Sequence, residues 1–127
     1  MAFEFLRAEN DASPVEKEVV ATNGVTYTHG CLLVYGSAGT ATTTTGSPEF
    51  VYTGKDTVAK TGDKLAVQVV FPEDEWATTL SASGSSLKVG QKVTTNGTQA
   101  TATTASGIFQ LLTAGGASGS KVVGRFS

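Results

Sequence analysis

One cysteine, one histidine and three prolines in 127 residues leave little material for a reaction centre. The lone Cys31 excludes an intrachain disulfide and any zinc site built on several thiolates. The lone His29 excludes a histidine-rich metal site and leaves a single candidate base for any catalytic triad. Charge is also scarce, at 16% of residues against roughly 25% in an ordinary soluble domain. Nine basic and eleven acidic side chains give a net charge of −2, so the chain lacks the basic stripe with which nucleic-acid binders neutralise phosphate. No apolar run reaches the roughly 18–20 residues of a membrane-spanning helix. The longest patches, Cys31 to Tyr35 and Val69 to Phe71, have strand length. Glu4 and Arg7 interrupt the N-terminal segment too early for a secretory signal, so the expected product is soluble and made in the cytoplasm.

Hydroxyls and glycine take the place of charge. Twenty threonines and eleven serines accompany fifteen glycines. Threonine suits a pleated, half-buried surface and glycine suits turns, so the composition predicts an all-β chain with many connections. The length is that of one domain. We expect a single compact β-barrel or β-sandwich-like domain over residues 21–127, preceded by an extended N-terminal arm over residues 1–20, with about eight strands in all.

The arm is the charged part of the chain. Residues 4–18 carry Glu4, Arg7, Glu9, Asp11, Glu16, Lys17 and Glu18. Ser13-Pro14-Val15-Glu16 has the form of a helix start, but Val19-Val20 and Asn23-Gly24 follow at once, which favours an extended segment leading into a strand. Cys31 to Tyr35 reads as a short core strand. Gly36 to Gly46, with no charge and no large side chain, reads as a mobile loop. Phe50 to Tyr52 resumes a strand. The clearest alternation follows, with Leu65, Val67, Val69 and Phe71 on one face and Ala66, Gln68 and Val70 on the other. Trp76 to Leu80 fits a short helix or a strand. The last third reads as a β meander: Leu87 to Thr94, an Asn96-Gly97 turn, Thr98 to Thr104, Ile108 to Leu112 and Lys121 to Phe126. Asn96-Gly97-Thr98 also matches a glycosylation sequon, but the hairpin turn accounts for it better.

Chemistry is sparse. At i, i+2 on one strand, His29 and Cys31 would share a face, which a Cys–His dyad or a two-ligand metal site requires. No third ligand lies nearby, and a free cysteine commonly packs as a small hydrophobe, so a strand-edge histidine beside a buried cysteine is the expected arrangement. Glu73-Asp74-Glu75 lacks the alternating ligands and glycine turn of a calcium loop and reads as a solvated acidic turn. The glycine-rich segments lack the lysine and strand–helix context of a phosphate loop, and no serine sits in a nucleophile elbow. No catalytic, metal or cofactor residue is therefore assigned. Phe3, Phe5 and Leu6 form an apolar patch on the arm that fits either the domain itself or a neighbouring chain, and Trp76 fits either a core plug or an interface anchor. Phe3, Phe5, Leu6, Arg7 and Trp76 are the candidate interface residues.

From about residue 50 onward the layout acquires a likeness. Leu65 to Pro72 is followed by a small-residue stretch, Leu87-Lys88-Val89-Gly90-Gln91-Lys92-Val93, the Asn-Gly turn and an Ala/Thr strand. Ser106 to Leu112, a glycine-rich turn and Val122-Val123-Gly124-Arg125-Phe126 complete it. This pattern resembles the small head decoration, or cement, proteins of tailed bacteriophages. The resemblance implies a mostly-β fold without catalysis or cofactor. It implies binding to the outer surface of the mature capsid, with the major capsid protein as partner, no nucleic acid and no membrane, and often a homotrimer on the shell. On that view the protein is a virion component, and the arm senses the expanded shell, ordering on docking. Deletion of residues 2–12 is then expected to abolish capsid binding and leave the domain folded. The alternative is a carbohydrate- or surface-binding β module of a phage fibre or tail.

Overall fold

The computed structural model describes residues 2–8 and 12–127. It is all-β, with twelve strands among those residues: β1 (Glu4–Arg7), β2 (Glu16–Val20), β3 (Thr26–Tyr27), β4 (Leu32–Tyr35), β5 (Ala41–Thr43), β6 (Phe50–Tyr52), β7 (Thr57–Val58), β8 (Lys64–Val69), β9 (Glu75–Thr79), β10 (Lys92–Val93), β11 (Phe109–Leu111) and β12 (Lys121–Phe126). One five-stranded sheet has the order β1-β9-β12-β11-β10, a second has β2-β8-β6-β4-β5, and β3 pairs with β7. Every named ladder is antiparallel. The arrangement is sandwich-like and not a closed barrel. One isolated parallel bridge, Ala21 to Ala41, brings the edges of the second sheet together, but β5 is three residues long and no ladder seals the gap.

Two apolar cores share the second sheet. Alternation along β4 and β6 sends Leu32 and Val51 to one side, where they meet Trp76, Phe109, Leu111, Val122 and Phe126 of the first sheet. The same alternation sends Leu33, Phe50 and Tyr52 to the other side, where they pack with Val19, Tyr27, Leu65 and Val67. This double burial explains why β4 and β6 are runs of apolar residues rather than alternating ones. Strand β8 faces only the second core, so Leu65 and Val67 are buried while Lys64 and Ala66 are exposed.

The described residues among the first twenty divide between the two sheets. Strand β1 pairs with β9, and β2 pairs with β8. Phe3 is 1% exposed and lies against Phe109 and Phe126, with ring centroids 5.4 and 5.2 Å away. Its backbone N–H donates to the Gly30 carbonyl at 3.0 Å. Gly30 has φ +78°, and a Cβ there would strike Ala2, so only glycine lets the N-terminal segment lie this close.

The 36–46 segment corrects the expectation of a mobile loop. It contains β5, whose Ala41 is fully buried and whose carbonyl accepts hydrogen bonds from the Tyr27 hydroxyl at 2.6 Å and the Thr22 hydroxyl at 2.8 Å. Small side chains thus allow close approach here. The C-terminal meander is also shorter than expected. Residues 98–104 form no named strand; isolated bridges join Ala100 to Leu80 and Thr95, and hydrogen bonds from the Thr78 hydroxyl to the Thr98 carbonyl and from Ala100 N–H to the Thr79 carbonyl tie the segment to β9. The Asn96-Gly97 turn is present: Gly97 has φ +101°, Asn96 N–H donates to the Gln99 carbonyl, and Asn96 Oδ1 accepts from the Thr98 and Gln99 N–H groups.

Candidate functional surface

His29 and Cys31 do not share a strand face. Cys31 N–H donates to the Thr28 carbonyl at 3.0 Å, closing a turn through Gly30, and β4 starts only at Leu32. His29 is exposed. Its backbone N–H donates to Asp56 Oδ1 at 2.9 Å, and its Nδ1 lies 3.1 Å from the Gly54 carbonyl. Cys31 is 4% exposed, and burial pushes its thiol pKa up, away from the thiolate a nucleophile needs. Among the described residues, no group of three or more His, Cys, Asp or Glu side chains has the geometry to hold a metal ion.

The acidic turn is not uniformly solvated. Asp74 is buried, with Oδ2 accepting from the Phe71 N–H at 3.2 Å, and burial raises its pKa above the usual aspartate range. Glu75 Oε2 lies 3.9 Å from Arg7 Nε and 3.5 Å from Arg125 Nη2, joining β1, β9 and β12. These are structural uses of acid. The sequence showed the charges but not their destinations, because register across three strands decides which carboxylate meets an arginine.

The five candidate interface residues separate into two groups. Phe3 and Trp76 are core: Trp76 is wholly buried, its ring lies 5.5 Å from that of Phe5, and its indole nitrogen has no hydrogen-bond partner among the described residues. Both therefore present no surface to a neighbour, and their assignment to an interface is corrected. Phe5 is half-buried against the same core. Leu6, at 46% exposure, and Arg7 remain accessible on β1, at the outer edge of the first sheet.

A polar cleft of about 480 Å³ was not anticipated from the sequence. Thr28, Thr43, Thr44, Thr45, Asn96 and Thr98 line it with Cys31 and Gly97. Two hydrogen bonds assemble it: Leu32 N–H to the Gly97 carbonyl at 2.9 Å, and the Thr95 hydroxyl to the Thr45 carbonyl at 2.8 Å. A second cleft of about 520 Å³ shares Thr28 and Thr98 and adds Glu4, His29 and Asp56. The four consecutive threonines at 42–45 were the signal available in the sequence, but composition alone does not place them opposite the Asn96 turn. No family model, curated protein or solved structure matches this chain.

Proposed function

We propose that this protein is a structural component of a tailed-phage virion, which binds the outer surface of the mature capsid and stabilises the lattice of the major capsid protein. The observation that carries the reading is the sequence pattern from Leu65 to Pro72 through Val122 to Phe126, which resembles that of head decoration proteins. The fold agrees with a binding role: two cores in a small domain and accessible Leu6 and Arg7 on an edge strand. The protein acts by attachment rather than catalysis, as a homotrimer on the shell exterior, after synthesis in the host cytoplasm. Many weak contacts repeated over a lattice give high total stability without a strong individual site.

Sedimentation with expanded capsids, using unexpanded shells as control, tests this. Co-pelleting only with expanded shells, saturating at a fixed ratio to the major capsid protein, is the expected result. Absence of co-pelleting with cognate shells overturns it. The hydroxyl-lined cleft favours the second reading, a carbohydrate- or surface-binding module of a fibre or tail, because threonine and asparagine groups suit sugar hydroxyls. Retention of sugars on a glycan array, lost on Asn96→Ala, would select that reading.

A further inference from the structure

Over Glu16 to Glu18, strand β2 forms an open edge of the second sheet. Val69 N–H donates to the Val15 carbonyl and Ala21 N–H donates to the Asp63 carbonyl, each at 2.8 Å. With Glu16 opposite Gln68 and Val20 opposite Lys64, the odd-numbered residues of β2 therefore bond to β8. The backbone groups of Glu16 and Glu18 point to the other side, where no strand follows; the Ala21 to Ala41 bridge brings β5 against only the Val20 end of this edge. Two further features mark this edge. The residues opposite Glu16 and Glu18 on β8 are Gln68 and Ala66, so neither carboxylate has a cross-strand cation, and neither forms an ion pair among the described residues. The odd face carries Val15, which is exposed, and Lys17, whose ammonium lies 5.7 Å from the ring centres of both Tyr35 and Phe50. Tyr35 is itself 40% exposed, so apolar surface flanks the open edge.

We propose that β2 receives an extended polypeptide strand from a partner, with basic residues on one face opposite Glu16 and Glu18 and apolar residues on the other beside Val15 and Tyr35. Backbone pairing supplies the affinity of such an added strand, and the alternating side chains supply its selectivity. The inference does not rest on the capsid reading.

The test uses the intact protein and an alternating lysine–valine octapeptide, N-methylated along one edge so that it cannot pair with itself. A glutamate–valine peptide of the same design is the control. Slowed amide exchange at Glu16 and Glu18 with the lysine peptide alone is expected. Glu16→Lys with Glu18→Lys should weaken binding about tenfold, since two favourable cross-strand pairs become repulsive. Glu18→Pro removes an outward N–H that the β8 ladder does not use, so it should abolish binding with the thermal midpoint retained. Unprotected edge amides, equal protection by both peptides, or undiminished binding by a folded Glu18→Pro variant would overturn the proposal and leave the charges as a guard against self-pairing.

Discussion

Three side chains show how much of this domain depends on single groups. Phe3 fills the first core from the chain's N-terminal segment, with both Phe109 and Phe126 against its ring. Phe3→Ala should cost about 3–5 kcal/mol, because the lost burial is compounded by a cavity bounded by rings that cannot collapse into it. Urea denaturation measures this, and a loss under about 1 kcal/mol would mean the segment contributes little. In the second core, the Tyr27 hydroxyl donates to Ala41 and accepts from Thr22 N–H at 2.9 Å. Tyr27→Phe should cost about 1 kcal/mol, since it leaves the part-buried Thr22 N–H without its acceptor. Asp74 acts with the opposite sign. Burial raises its folded pKa, so the native state holds the proton more tightly than the unfolded chain, and stability falls as pH rises through the interval between the two values. Asp74→Asn keeps an acceptor for the Phe71 N–H and removes the charge. It should raise the melting temperature at neutral pH, and the gain should shrink as pH falls into the ordinary carboxyl range. Melting curves of both proteins across that range check the sign.

At the scale of elements, β1 is the piece whose role changes most between sequence and structure. Removing residues 2–8 takes away Phe3, the Phe5 contact with Trp76 and the edge ladder on β9. The truncated chain should therefore lose stability by at least the Phe3→Ala amount, in contrast to the intact domain expected from an arm that orders only on docking. Circular dichroism melts of the truncation decide between them. The sequence made β8 legible because that strand buries one face, and Leu65 and Val67 alternate with exposed neighbours. Strands β4 and β6 were legible as apolar runs, although the reason, burial on both faces by different cores, lies in the topology. Strand β5 was not legible. Ala41 is buried as deeply as any leucine, but its small side chain gives no hydrophobic signal, and its place is fixed by the Tyr27 and Thr22 hydroxyls donating to its carbonyl. Residues 98–104 failed in the other direction: the Thr/Ala pattern favours a strand, yet the segment forms isolated bridges at Ala100 and side-chain bonds to β9 rather than a ladder. The polar cleft was invisible for a related reason, since its two walls are brought together by tertiary hydrogen bonds, Thr95 to Thr45 and Leu32 to Gly97, rather than by spacing.

For the molecule as a whole, the two cores are not independent. Leu32 and Leu33 are adjacent on β4 and belong to different cores, as do Phe50 and Val51 on β6. Loss of either core frees one face of β4 and β6, and a strand with one face unsupported no longer holds its ladder for the other. The domain should therefore unfold as one cooperative unit despite its two layers of packing. Val51→Ala in the first core and Leu33→Ala in the second should lower the same transition, the latter by about 2–5 kcal/mol. Amide exchange should be slowest in β4 and β6. Calorimetry of the two variants is decisive: a single shifted peak in each is the expected result. Two resolved peaks, with each substitution moving only one of them, would show that the cores fold separately and that the shared strands do not couple them.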